Sequence, residues 1–68
     1  MKLSARNQLK GKIVEVKKGA PTTHVRIDVD GQIITASITN KSADELKLEK
    51  GKIAYAIIKA SSVMIGVD

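Results

Sequence analysis

The chain has 68 residues, with 12 Lys and Arg against 7 Asp and Glu, a net charge of +5 and no cysteine. This length allows a single domain, which we expect to span residues 1–68, and the lack of cysteine excludes disulfides and thiolate metal sites. The positive charge favours an anionic partner, either nucleic acid or a small oxyanion. No apolar run approaches the length of a membrane span and no secretory leader is recognisable, so we expect a cytoplasmic protein that does not bind membranes.

The small size limits the core that one copy of the chain can form. A domain of this length buries only about 60% of the surface of its unfolded chain. Tyr55 is the only aromatic residue, so the core must be aliphatic. Association with copies of itself is the simplest way for such a chain to bury more apolar surface, and we therefore predict a homo-oligomer.

The first strand is predicted over Lys12–Lys17, which is rich in β-branched residues. The pattern also permits an extension over Leu3–Leu9, with a bend near Gly11. Lys18–Pro21 is predicted to be the loop that closes this strand.

A β-hairpin is predicted next. In Val25–Asp30 apolar residues alternate with charged ones, as in a half-buried strand. Asp30-Gly31 is a strong turn signal, because glycine readily adopts a positive φ, and Gln32–Thr39 alternates again.

The second half of the chain predicts one short helix and two strands. Ser42-Ala43-Asp44-Glu45 fits a capping box, in which the serine caps the helix and the glutamate reaches back to it. The helical turn is predicted to end at Glu49-Lys50-Gly51. Ile53–Lys59 and Val63–Val67 are predicted to be the last strands. This order predicts an all-β fold, a five-stranded barrel of the oligonucleotide/oligosaccharide-binding (OB) type with one short helix.

The segment Ser4-Ala5-Arg6-Asn7 is the first candidate for binding an anion. On an extended chain residues two apart share a face, so Ser4 and Arg6 point the same way. A hydroxyl beside a guanidinium suits a tetrahedral oxyanion, because Arg offers two parallel N–H donors and stays charged. Asn7 either braces the segment or donates to the anion directly. Taken alone, such a pattern is more often a solvated terminal segment.

The segment Lys59-Ala60-Ser61 is the second candidate. The same rule places Lys59 and Ser61 on one face, and Ala60 is small enough for an anion to reach its backbone amide. A strand-end lysine by itself is usually a solvated charge. Because chain ends often lie close together in a barrel or an exchanged-strand dimer, the two segments together predict a pocket for a divalent anion. Donors without facing carboxylates favour an anion over a neutral ligand.

Both ends of the chain resemble motifs of a known family. Ser4-Ala5-Arg6-Asn7-Gln8-Leu9-Lys10-Gly11 is similar to the opening motif of the molbindins (the Mop family) and of the related TOBE-type molybdate-binding domains of transport ATPases and molybdate-responsive regulators. Ile57-Ile58-Lys59-Ala60-Ser61-Ser62-Val63-Met64 resembles the closing motif. The resemblance covers essentially the whole chain.

The resemblance implies a five-stranded OB-like barrel with strand exchange between subunits, assembled as a hexamer that is a trimer of dimers. It implies binding of molybdate or tungstate between subunits, without a cofactor or a metal ligand from the protein, for intracellular storage and homeostasis. The implied ligands are the side chains of Ser4, Arg6, Lys59 and Ser61 and the backbone amides of Ala5 and Ala60. Some relatives have Ser at position 60, so the role of Ser61 is open. For the family's second class of site we consider the loop residues Lys18, Gly19, Ala20 and Thr22.

Other functions are compatible with the residues themselves. A small basic OB-like module that binds nucleic acid fits the charge and the fold class, but such modules stack bases on aromatic side chains and this chain has one. A structural assembly unit without a ligand is a further alternative. An enzyme is not expected, since His24 has no recognisable nucleophile partner and the close carboxylate pairs lie outside any pocket motif.

Overall fold

The computed structural model describes all residues, 1–68, as one antiparallel sheet of four strands with a short helix. The strands are β1 (Asn7–Lys18), β2 (Thr22–Val29), β3 (Gln32–Thr39) and β4 (Ile53–Ile58), the helix is α1 (Asn40–Glu45), and a 3₁₀ turn covers Ala60–Ser62. The strand order is β3-β2-β1-β4, and the sheet curls into a half-barrel. The predicted all-β class with one short helix is confirmed. No helix is long and apolar enough to cross a membrane.

The long strand β1 is the centre of the sheet. Its first half pairs with β4, from Asn7 opposite Ile58 to Lys12 opposite Ile53, and its second half pairs with β2. The predicted extension is therefore present, although it begins at Asn7 rather than at Leu3. The irregularity expected near Gly11 lies slightly later, as a register shift between residues 13 and 15.

Gly11 lies where β1 passes close to β2. A Cβ atom at this position would lie 2.5 Å from the carbonyl oxygen of Asp28 and 2.6 Å from Cγ2 of Ile27. Only a residue without a side chain allows this approach, because real Cβ atoms do not come so near to backbone oxygen.

The predicted hairpin of β2 and β3 is confirmed, with Val29 opposite Gln32. Asp30 and Gly31 form its two-residue turn with φ values of 50° and 87°, the positive values that the favoured type I′ turn requires. The side chain of Asp28 reinforces the turn by accepting a hydrogen bond from the backbone N–H of Gly31 at 2.7 Å.

The predicted start of the helix was wrong. Thr39, not Ser42, is the N-cap, and its hydroxyl oxygen accepts a hydrogen bond from the backbone N–H of Ser42 at 3.0 Å. Glu45 does not reach back; its carboxylate lies 4.0 Å from the ammonium of Lys41. The helix starts earlier because the last residue of β3 has an extended backbone and a hydroxyl, which together make a good cap.

The predicted fifth strand, Val63–Val67, is not formed within the chain, and that prediction was wrong for a single copy. After the 3₁₀ turn the tail meets no strand edge of its own chain, so its only backbone hydrogen bond joins Val63 N–H to the carbonyl of Ala60. Met64, Ile65 and Val67 are 90%, 88% and 92% exposed.

The core is small and aliphatic. Ile13, Val25, Ile27 and Ala56 form its buried cluster on the inner side of the curled sheet. Beside the cluster an apolar groove of about 420 Å³ stays open, and Lys52 is the only lining residue that is not hydrophobic. The single chain thus leaves much apolar surface in contact with solvent.

We predict that Gly11→Ala lowers the free energy of unfolding by about 1–3 kcal/mol, the usual cost of forcing an added methyl group into packed structure. Urea denaturation at a fixed protein concentration measures the change. Thr35→Ala, which removes atoms from an exposed position on β3, is the control and should leave the midpoint nearly unchanged. Equal midpoints for the Gly11→Ala variant and the wild type would contradict the close crossing.

Candidate anion-binding site

The opening and closing segments of the chain meet at the end of the β1–β4 ladder. Asn7 and Ile58 are the outermost pair of this ladder, so the residues before one and after the other leave the sheet side by side. Between them lies a cleft of about 400 Å³, lined by Ser4, Ala5, Arg6, Lys59, Ala60 and Ser61. These six residues are those that the sequence predicted to share an anion site, and the structure brings them together within one chain.

The cleft carries two positive charges that no carboxylate neutralises. Arg6 and Lys59 take part in no ion pair, and neither Asp nor Glu lines the cleft. Both side chains are exposed, so their charges are available to a ligand that enters from solvent. This charge distribution favours an anion.

The residues that line the cleft also have backbone N–H groups without an acceptor. The N–H groups of Ala5, Arg6, Lys59, Ala60 and Ser61 have no acceptor within the chain, whereas the next two, of Ser62 and Val63, donate to carbonyls of the 3₁₀ turn. The hydroxyls of Ser4 and Ser61 also form no hydrogen bond within the chain. The lining residues therefore carry amide, hydroxyl, ammonium and guanidinium donors that the chain itself leaves without acceptors.

Asn7, the remaining predicted residue of this site, does not line the cleft. Its side-chain nitrogen donates to the carbonyl of Ile58 at 3.1 Å, which matches the bracing role left open by the sequence rather than direct donation to a ligand. The side chain of Gln8 similarly donates to the carbonyl of Ala5 at 3.1 Å. Sequence reasoning did not predict this hydrogen bond of Gln8, because the bond depends on how the segment before β1 turns.

The second candidate site, the loop Lys18–Thr22, lies at the opposite end of β1 from the cleft. The ammonium of Lys18 lies 3.0 Å from a carboxylate oxygen of Asp44, so this cation is paired. The N–H of Gly19 donates to the carbonyl of Thr22 at 2.8 Å, which closes the loop. The structure thus keeps the two candidate sites apart.

Asn40 fixes the shape of this loop, and the sequence did not identify it. Its side-chain nitrogen donates to the carbonyls of Gly19 and Ala20 at 3.0 and 3.4 Å. Its side-chain oxygen accepts from the hydroxyl of Thr23 at 2.6 Å, and Thr23 is only 1% exposed. One amide therefore ties the loop to both α1 and a buried hydroxyl.

No three His, Cys, Asp or Glu side chains lie close enough together to hold a metal ion.

The family model of the TOBE domain matches residues 3–65. The chain belongs to the TOBE domain family. A similar protein of Haemophilus influenzae, described as a probable molybdenum-pterin-binding protein, is 51% identical over 69 residues that cover 100% of both chains. These findings confirm the family resemblance predicted from the opening and closing motifs.

Two solved structures have the same fold. A molybdate-binding protein from Sporomusa ovata has a TM-score of 0.93 at 31% identity, over 98% of this chain and 100% of that one. The cytoplasmic molybdate-binding protein ModG, in a form with molybdate bound, has a TM-score of 0.92 at 39% identity, over 100% of this chain and 49% of that one. One copy of this chain thus corresponds to about half of ModG.

We predict that Asn40→Leu lowers the free energy of unfolding by about 1–3 kcal/mol, because the buried hydroxyl of Thr23 loses its partner. Asp44→Asn is the matched control on the same helix. It breaks the exposed ion pair with Lys18, which should contribute less than about 1 kcal/mol. Thermal unfolding of both variants measures the difference, and an Asp44→Asn variant as unstable as Asn40→Leu would contradict the assignment.

Proposed function

We propose that this protein binds molybdate or tungstate as the free oxyanion in the cleft between the two chain ends, and that it catalyses no reaction on it. The observation that carries this proposal is a cleft with two unpaired cations and no carboxylate. The molybdate-binding descriptions of the similar proteins support the choice of anion. Capture is an equilibrium process that needs neither a cofactor nor a metal ligand from the protein, and its role is intracellular storage and homeostasis of the oxyanion.

The charges and donors of the cleft match a tetrahedral dianion. Arg6 and Lys59 supply two positive charges against two negative ones, and the guanidinium offers two parallel N–H donors. Charge-assisted hydrogen bonds of this kind are about twice as strong as neutral ones. The hydroxyls of Ser4 and Ser61 and the amides of Ala5 and Ala60 replace further water molecules of the anion's hydration shell.

The volume of the cleft bears on selectivity and on assembly. Five of the six residues that line the cleft are exposed, so the cleft of about 400 Å³ is open to solvent. Residues from another copy of the chain therefore have room to close it over a bound anion. Discrimination against sulfate, which has the same charge and shape, then depends on the size of the completed cavity.

The assembly that we propose is a hexamer, a trimer of dimers, in which strands are exchanged between subunits. The exposed apolar tail and the open apolar groove support strand exchange. If the tail of one copy packs against the groove of another, the apolar surface of both is removed from water. Val63–Val67 then forms the fifth strand of a neighbouring OB-like barrel. Residues 1–68 act as a single oxyanion-binding domain in this assembly.

We place this protein in the cytoplasm, as ModG is described, with no membrane partner. No nucleic-acid partner is proposed either, because Tyr55 is the only side chain on which a base could stack. The loop residues Lys18, Gly19, Ala20 and Thr22 are proposed as a second anion site, in which a bound anion would compete with Asp44 for the ammonium of Lys18.

We predict that Arg6→Gln and Lys59→Gln each weaken molybdate binding by about 10- to 100-fold, the effect of removing one charge-assisted hydrogen bond. Titration calorimetry with molybdate, tungstate and sulfate at constant ionic strength measures the affinities. Lys10→Gln is the matched control, since it removes one positive charge from β1 at a position that does not line the cleft.

Wild-type protein that binds neither molybdate nor tungstate would contradict the proposed function. An effect of Lys10→Gln as large as that of Arg6→Gln would show that net charge, rather than the cleft, governs binding.

We predict that Ile65→Asp reduces the size of the oligomer, because a carboxylate is costly to bury in the apolar groove of a neighbouring copy. In a single chain Ile65 is 88% exposed, so the same change would have no effect on an isolated copy. Size-exclusion chromatography with light scattering measures the mass, and Gln32→Asp at the exposed hairpin is the control. A monomeric wild type, or an Ile65→Asp variant of unchanged mass, would contradict strand exchange.

A further inference from the structure

Two neighbouring side-chain amides donate hydrogen bonds to backbone carbonyls on the two sides of the cleft. Asn7 donates to the carbonyl of Ile58 at 3.1 Å, and Gln8 donates to the carbonyl of Ala5 at 3.1 Å. Neither residue lines the cleft. Successive residues of a strand point to opposite faces, so the two amides act on different segments even though they are adjacent in sequence.

The two carbonyls that accept these hydrogen bonds belong to the peptide groups that also contain N–H groups of the cleft residues. The peptide group of Ile58 also contains the N–H of Lys59, and that of Ala5 contains the N–H of Arg6. In a planar trans peptide the C=O and N–H bonds point in opposite directions, and the chain has no cis peptide bond. A carbonyl held towards Asn7 or Gln8 therefore turns the corresponding N–H to the other side.

Both of these N–H groups belong to the cationic residues of the cleft, and both are without an acceptor in the chain. We infer that Asn7 and Gln8 are positioning residues, which set the backbone amides of Lys59 and Arg6 for anion binding and make no contact with the anion themselves. This inference rests on the proposed function and adds to it the residues that preorganise the site.

Amide side chains suit this task for an electrostatic reason. Holding a carbonyl requires a donor, which Asp and Glu lack when ionised. Carboxylates at positions 7 and 8 would also repel both the carbonyl and a bound dianion. Lysine or arginine would donate, but each would add a third positive charge beside Arg6 and Lys59. Asn and Gln hold the backbone without altering the charge that the anion meets.

The test uses variants that keep the side-chain size and remove the donor: Asn7→Leu and Gln8→Met. Gln32→Met makes the same change at the exposed start of β3 and is the control. Titration calorimetry gives the molybdate affinity of each variant. Two-dimensional ¹⁵N–¹H spectra give the shift of the Arg6 and Lys59 amide signals on saturation with molybdate, with Arg26, the only other arginine, as the internal reference.

We expect about tenfold weaker binding for Asn7→Leu and about threefold for the exposed Gln8→Met, the range for loss of one hydrogen bond. The spectra should show that each substitution affects a different amide signal. Asn7→Leu should reduce the ligand-induced shift of Lys59 and leave that of Arg6, whereas Gln8→Met should do the reverse. A role in stability alone would lower the melting temperature without this crossed pattern.

Unchanged affinity in both variants, or equal changes in both amide shifts, would overturn the inference while wild-type binding preserves the proposed function. A wild type that binds no molybdate overturns both. If Asn7→Leu fails to fold, Gln8→Met decides the matter, because Gln8 is exposed and its bond spans only three residues.

Discussion

The antiparallel pairing of β1 with β4 is the constraint on which the rest of the structure depends. Its outermost pair, Asn7 and Ile58, brings the two cationic segments side by side. A slip of one residue in this register would turn every side chain of β4 to the other face of the sheet. The same pairing holds Arg6 and Lys59 at one cleft although their positive charges repel each other. A dianion between them relieves this repulsion, so the proposed ligand supplies the negative charge that the fold itself does not place at the cleft.

The small aliphatic core has a consequence for how this register is maintained. Ile13, Val25, Ile27 and Ala56 are the buried cluster, and three of the four sheet strands contribute to it. Gly11 lets β1 pass close to β2 just before the strand reaches Ile13. Packing at the middle of β1 therefore fixes the position of the whole strand. The start of β1 borders the cleft, so the same packing fixes the position of that side of the cleft. Packing in the core and donor geometry in the cleft are two results of one strand's placement.

Local patterns predicted the parts of the fold that depend on local chemistry. Alternation and Asp30-Gly31 were sufficient for the hairpin, because a two-residue turn specifies its own register. Val63–Val67 has the composition of a strand, yet a strand also needs a partner edge, and this segment pairs with neither edge strand of its own sheet, β3 or β4. The two terminal motifs predicted the six residues that line the cleft, but not the hydrogen bonds of Gln8 and Asn40. Asn40 reaches a loop about twenty positions earlier in the chain, and no local pattern encodes such a bond.

The cleft and the tail are consecutive in the chain, and this links ligand binding to assembly. Lys59 directly precedes the 3₁₀ turn, which contains Ser61 and leads straight into Val63–Val67. In the proposed assembly the tail is held by a neighbouring copy, so the donors next to it are held as well. Ordering these residues costs conformational entropy. Without assembly, the free energy of anion binding has to offset this cost alone. Once assembly has offset that cost, the anion binds more tightly, and by thermodynamic reciprocity the bound anion stabilises the assembly to the same extent.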